Sequence, residues 1–387
     1  MNILASGMEW VTERPGGLKR YFADFLAAWT ESGGSAQALV RSADPLQALA
    51  FPPYVRTVPD SGESRLRYLT RWRDVLRAEL REQRFDLFNP HFAYYAQAWL
   101  TSGSDIPVVT NFQGPWAYEV KVEQGERSRL RDQARFYLQR HLERRFYRRS
   151  DRFIVLSRAF GEILARDYGV PRERIHVIPG AADVERFQAA SDRMAVRARL
   201  GLPQDAYVLV VVRRLARRMG LANLLRAFAA VCGDFPDALL LVVGGGELRL
   251  ELEALARELG LDGRVQFAGR VAEEELPLYY QAADLSVVPS VALEGFGLVT
   301  VEAMACGTPV MGTPVGGTAE ILSGFDDRLL FRGTAPEDLA AGLVWALDHR
   351  DELPSRALAR AHVMEHYTWD IAIPRIRDVF ELAVNGR

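Results

Sequence analysis

Short apolar segments alternate with stretches of helical period along this chain, and near the middle the alternation starts again. The first half carries NILAS (2–6), FDLFN (85–89), PVVTNF (107–112) and FIVLS (153–157), with helical patterns over 64–82 and 126–149. The second half carries AYVLVVVRRL (206–215), ALLLVVGGG (238–246), VQFAG (265–269), ADLSVVPS (283–290) and PVMGT, separated by helical runs such as NLLRAFAAV and LRLELEALARELG. Apolar runs this short, with a helix between each pair, imply parallel strands covered on both faces. The expectation is an α/β chain of two Rossmann-like domains facing each other across a cleft, divided into 1–172 and 173–369. Segment 170–190, with Pro171, Pro179 and Gly180, reads as the joint. In open α/β sheets ligands collect beyond the carboxyl ends of the strands.

Composition excludes several function classes. A formal net charge of −2 over 387 residues argues against a dedicated nucleic-acid binder. Two cysteines, Cys232 and Cys306, make neither a disulfide framework nor a cysteine zinc site, and both read as buried thiols. No stretch approaches ~18 consecutive apolar residues and the opening MNILASGMEW has no basic n-region, so a cytoplasmic location is expected. Of 48 basic residues only Lys19 and Lys121 are lysines. Neither sits where a P-loop or a pyridoxal Schiff base needs one. Any phosphate gripped here is gripped mainly by arginine and backbone amides.

The strongest local signal is Glu294-Gly-Phe-Gly-Leu-Val-Thr-Val-Glu302. Its carboxylates are eight residues apart and do not share one helix face. Gly295 and Gly297 let backbone approach a ligand, and a helix beginning near Leu298 offers amides to an anion. A nucleoside diphosphate placed there has its ribose near Glu302 and its pendant group near Glu294. A second segment, Arg213-Arg-Leu-Ala-Arg-Arg-Met-Gly220, follows a strand and opens a helix. Gly16 and Gly17 stand between a strand and a helix, either as a plain turn or as a phosphate or acceptor wrap. Gly244-Gly-Gly-Glu-Leu-Arg249 fails the dinucleotide fingerprint, because its third glycine position is Arg249.

Together with the joint HVIPGAADVERF, these segments resemble retaining glycosyltransferases of the GT-B fold, and more narrowly glycosyltransferase family four. The resemblance implies that Glu294 contacts hydroxyls of a donor sugar and that Glu302 binds the nucleotide ribose. It places the amides around Gly297, Leu298 and Val299, beside Gly295 and Phe296, on the sugar and diphosphate. It also places the Gly16–Gly17 loop on the donor phosphate and main-chain groups at Arg270 and Val271 beside the base. It also implies that the tail after about residue 370 belongs with the first domain.

The chain departs from the family pattern at two positions. The pattern reads Gly-Arg-Leu and then lysine-glycine; Arg214 matches the arginine, Gly220 the glycine, and Met219 stands at the lysine. Arg218 or Arg217 is the expected substitute cation. In VVTNFQGPWAYE, Gln113 occupies a position where the family often has histidine. Glutamine positions a sugar but carries no proton at neutral pH. Asn111 and Trp116 are candidates for an acceptor surface, and His91 is either structural or directed toward the site. The catalytic set is thus Glu294, Arg214, Arg218 and Gln113.

The implied reaction moves a hexose-type sugar from a nucleoside diphosphate, by family frequency a UDP-sugar, to a sugar, lipid or small-molecule acceptor with retention. No cofactor is expected, and without an Asp-x-Asp motif or a histidine–carboxylate set, no metal. A nucleotide-sugar epimerase of the same fold and a non-catalytic nucleotide-sugar-binding partner remain open. Residues 127–152 hold ten arginines against Asp132, Glu143 and Asp151. Leu130, Ala134, Leu138, Leu142 and Phe146 recur every four residues, which suggests an apolar face on the sheet. The basic remainder is either solvated or a peripheral contact for anionic membrane.

Overall fold

A computed structural model describes residues 1–44, 46–124 and 130–386. The chain forms two compact units, Met1–Gly180 with Trp369–Arg387, and Ala181–Thr368. In the first unit the strands are β1 (Asn2–Glu9), β2 (Ser35–Ser42), β3 (Val55–Pro59), β4 (Leu87–Pro90), β5 (Val109–Phe112), β6 (Arg152–Val155) and β7 (Ile175–Val177). They pair in parallel as β3-β2-β1-β4 and β5-β6-β7. A parallel bridge between Phe88 and Val108 joins the two ladders. Because β7 pairs with β6, the division falls at Gly180 rather than after 172.

The second unit has β8 (Tyr207–Val212), β9 (Ala238–Val243), β10 (Val265–Gly269), β11 (Leu285–Val288) and β12 (Val310–Gly312). Its parallel order is β10-β9-β8-β11-β12. β9 is buried at every residue, as a strand covered on both faces must be. The chain steps outward from β8 to β10 on one side and then crosses to β11 on the other. The loops after β8 and β11 therefore diverge at a topological switch point. Helix Leu221–Val231 packs Leu221, Leu224, Leu225, Phe228 and Val231 inward at three- and four-residue spacing.

Helix Arg65–Glu82 covers the first sheet with Tyr68, Trp72 and Leu76, and Trp72 stacks on Tyr95 at 4.6 Å. The last helix, Trp369–Asn385, packs Trp369 against Tyr21 and Phe25, and Phe380 against Trp29.

Helix Leu130–Tyr147 corrects one expectation. Its buried side chains are Gln139, Glu143, Phe146 and Tyr147, whereas Ala134 and Leu138 face solvent. A four-residue row gains about 40° per step on a helix of 3.6 residues per turn, so the apolar row winds off the core. Residues 127–129 of the basic segment lie outside the described residues. Cys306 is buried, with its thiol pushed up by burial; Cys232, at a helix end, is only half-buried.

Candidate active site

In the second unit the loops beyond β8, β9, β10 and β11 are laced together by main-chain hydrogen bonds. Gly244 donates to Gly269 (2.7 Å), Leu215 to Gly245 (3.0 Å), Leu248 to Leu215 (3.1 Å) and Val291 to Arg218 (2.9 Å). Gly317, at the start of helix Gly316–Ser323, donates to the Glu294 carbonyl at 3.0 Å. Two further close approaches in this lattice require glycine. Gly220 has φ 73°, and a Cβ there overlaps the Pro289 carbonyl; Gly316 has φ 56°, and a Cβ there overlaps the Glu294 carbonyl.

The Glu294 carboxylate lies within this lattice and is buried. The Arg213 guanidinium donates to it and to Ser290 Oγ, and Ser290 Oγ–H donates to the same carboxylate oxygen at 2.6 Å. Burial alone raises the carboxyl's pKa, but the charge and hydrogen bonds of Arg213, with help from Ser290 and Arg218, outweigh it and lower the value. Leu293, just before it, has φ 53°, the one positive φ outside glycine among the described residues. Its carbonyl accepts from Arg218 Nη1 at 3.0 Å. Backbone held this way costs ~1 kcal/mol or more and persists where surrounding contacts over-determine it, commonly at ligand sites.

The expected residues fall in distinct places. Gly295 is half-buried, Phe296 is buried against Tyr367, and Gly297 (φ 86°) opens helix Leu298–Ala305 with no side-chain cap. The first amides of that helix, from Leu298 and Val299, have no partner within it. Glu302 is wholly buried, and the Tyr280 hydroxyl donates to it at 3.0 Å. Arg270 is exposed with its side chain over Gly245, and Val271 is half-buried. Arg214 does not join Glu294: it is exposed and lies 3.8 Å from Glu247. The arginine on the carboxylate is Arg213, one residue earlier.

In the first unit Gln113 Nε2 donates to His91 Nδ1 at 2.7 Å. His91 Nε2–H in turn donates to Asn89 Oδ1 at 2.8 Å, since the Asn89 amide nitrogen is spent on the Val109 carbonyl. Burial holds the imidazole's pKa down at about 3. Asn111 donates to the Tyr21 hydroxyl at 3.3 Å, while its buried Oδ1 has no hydrogen-bond partner. Trp116 packs its ring on Tyr94 and Phe92. Gly16 and Gly17 lead into helix Gly17–Glu31 with open space where a Cβ would stand. Lys19 on that helix reaches back to Glu9 at 3.0 Å.

Residues 15–186 match the family described as Glycosyltransferase Family 4, and residues 192–362 the family described as Glycosyl transferases group 1. The chain belongs to the family-4 glycosyltransferases. A D-inositol 3-phosphate glycosyltransferase of Catenulispora acidiphila is 37% identical over 250 residues, 61% of this chain. Those residues span 58% of that relative's own length. Sucrose-phosphate synthase of Thermosynechococcus elongatus superposes with TM-score 0.82 at 24% identity over all of both chains. Anabaena HepE, solved with UDP and glucose, superposes with TM-score 0.79 at 19% identity over 98% of this chain and 99% of that one. These likenesses establish a GT-B fold, with each unit a Rossmann-like domain.

Motif reading missed Arg213, Ser290, Tyr280 and the Gly316–Gly317 pair. Two of them left a trace. Arg213 stands where the family pattern has glycine, and Gly316–Gly317 follows a strand and opens a helix, as Gly16–Gly17 does.

Proposed function

We propose that this chain transfers a hexose-type sugar from a UDP-sugar to an acceptor hydroxyl with retention of anomeric configuration. The observation that carries the reading is the buried, ionised Glu294, held by Arg213 and Ser290 where the second sheet's strand order reverses. A carboxylate kept charged in a buried lattice accepts hydrogen bonds from sugar hydroxyls. Amides of residues 297–299 and the arginines of the 213–220 loop meet the diphosphate, whose charge grows as it leaves. Glu302 and Tyr280 form the ribose side, and the main chain at 270–271 borders the base. Gly16 and Gly17 offer backbone to a donor phosphate, and Gln113 positions a sugar. The departing phosphate takes the acceptor's proton. No cofactor enters, and the arginines neutralise the diphosphate charge that a metal would otherwise neutralise.

His91 stays neutral and Gln113 cannot ionise, so that network offers no acid at neutral pH. This favours transfer over epimerisation. The HepE structure, with UDP and glucose bound to the same fold, supports the choice of donor. A peripheral contact of helix Leu130–Tyr147 with anionic membrane completes the proposal.

Thermal unfolding with UDP-, GDP- and ADP-sugars, on wild type and Glu302→Ala, tests the donor site. A ligand at ~100 times its Kd adds ~2.7 kcal/mol. The expected result is a rise with UDP-sugar that disappears in the variant. No rise with any nucleotide overturns the reading. Product anomeric configuration by proton NMR then decides retention.

A further inference from the structure

The loop after β8 carries four arginines in unequal environments. Arg214 and Arg217 are exposed, and Arg218 is half-buried with Nη1 on the Leu293 carbonyl. The Arg213 side chain is enclosed, 8% exposed. One terminal nitrogen of Arg213 serves both Ser290 and Glu294, and its buried Nε makes no hydrogen bond; Arg218 also carries a buried Nε, but its terminal nitrogen is directed to the Leu293 main chain rather than to the carboxylate. A buried charged group with an unspent donor is costly until an acceptor reaches it, and native proteins keep few such groups.

A second observation lies six residues on. Met219 is buried and uncharged, where the sequence pattern this loop resembles has lysine. The same pattern has glycine at 213. Charge is thus lost at 219 and gained at 213 on a single loop. Both ends of that loop rest on the segment bearing Ser290 and Glu294: Arg213 through its side chain, and Arg218 through its carbonyl, which accepts from Val291 N. A cation leaving position 219 and reappearing at 213 stays on the one loop that rests on this segment.

We infer that Arg213 is a donor-binding residue that supplies the loop's phosphate-neutralising charge in place of a cation at 219, and that it also positions Glu294. Its guanidinium bridges the carboxylate on one side and a phosphate oxygen of the nucleoside diphosphate on the other, a geometry suited to arginine and not to lysine. Arg218, the substitute expected from spacing, instead supports the strained Leu293. The inference rests on the donor-site reading above.

The test is calorimetric titration of UDP into wild type, Arg213→Gly, Arg213→Lys, Met219→Lys, Arg218→Ala and the double variant Arg213→Gly with Met219→Lys. Arg213→Gly is expected to weaken UDP binding about tenfold or more. Arg213→Lys recovers part of the loss, and Met219→Lys in the Arg213→Gly background recovers most of it, which a purely structural role for Arg213 does not allow. Arg218→Ala costs less than Arg213→Gly. Unchanged binding by Arg213→Gly, or no rescue by Met219→Lys, overturns the assignment while leaving the donor site standing. If wild type binds none of UDP, GDP and ADP, the donor-site reading itself fails and the assignment falls with it. Unfolding midpoints without nucleotide identify any variant that does not fold; Arg213→Met, similar in length but uncharged, then replaces Arg213→Gly.

Discussion

His91 and Glu143 are buried titratable groups of the first unit whose pKa values are displaced so that stability responds to pH in opposite directions. The His91 imidazole, desolvated among Tyr21, Phe22 and Phe25, is held at about 3 against an ordinary 6.5. Between these values only the unfolded chain takes up the proton. The histidine's contribution is therefore complete above about 6.5 and is lost as pH falls toward 3, at ~1.4 kcal/mol per pH unit. Burial pushes the Glu143 carboxyl up to about 7 from 4.5, although Tyr168 donates to it at 2.6 Å. Its contribution is complete below about 4.5 and is lost as pH rises toward 7. Denaturant unfolding at pH 5, 6 and 7 is expected to show Glu143→Gln gaining on wild type by ~1.4 kcal/mol per unit as pH rises. A difference independent of pH shows that the carboxyl is already ionised in the folded state. At this scale the sequence declared Glu294 and Glu302 through their spacing and their glycines. It did not declare Arg213, because in a chain with 46 arginines one more beside Arg214 carries no signal until burial distinguishes the two.

At the level of elements, strands buried on both faces were readable because every residue in them is apolar, as in Ala238–Val243. The strands Ser35–Ser42, Val55–Pro59 and Ile175–Val177 were not. The first carries Gln37 and Arg41, the second ends in proline, and the third is an edge strand of three half-buried residues, so none has an uninterrupted apolar run. Helix Leu130–Tyr147 shows how period, more than composition, decides what a helix buries. Both of its acids, Asp132 and Glu143, lie toward the core side, while Arg131, Arg144 and Arg145 face solvent with Tyr137 (65% exposed) and Leu138 (60%). Beyond its end Arg148 and Arg149 continue the strip, lining a groove with Leu100, His141, Arg144 and Arg145. Arginines around two exposed apolar side chains match the surface of an anionic bilayer, phosphates outside and hydrocarbon beneath. Co-sedimentation is expected with vesicles containing anionic lipid and not with neutral ones. Tyr137→Ser with Leu138→Ser should weaken binding at high salt more than at low salt. Equal binding to both vesicle types, or to neither, counts against the contact.

Over the whole molecule, the five strands of the second unit repeat the order of the first five strands of the first, and the units differ in how the chain closes them. Ala181–Thr368 is continuous, whereas the first unit is closed by Trp369–Asn385, which returns after the second is complete. The seam is aromatic and specific. Phe380, fully buried, meets Trp29 edge to face at 5.3 Å, and the Arg377 guanidinium lies 4.6 Å over the same Trp29 ring. Arg375 donates to the Val177 carbonyl, which fastens the helix to the last strand of the first sheet. Removing the Phe380 ring leaves a cavity against a tryptophan that cannot turn away, at a cost of about 3–5 kcal/mol. For a unit of this size that corresponds to roughly a 10 °C fall in midpoint. Since the 213–220 loop and the Glu294–Glu302 segment proposed to hold UDP lie in the second unit, UDP marks that unit's transition. Calorimetry of Phe380→Ala with and without UDP is therefore expected to show the UDP-independent transition moving down while the UDP-sensitive one holds its place. If both fall together, the tail stabilises the two units alike, and the first unit's dependence on it is no greater than the second's.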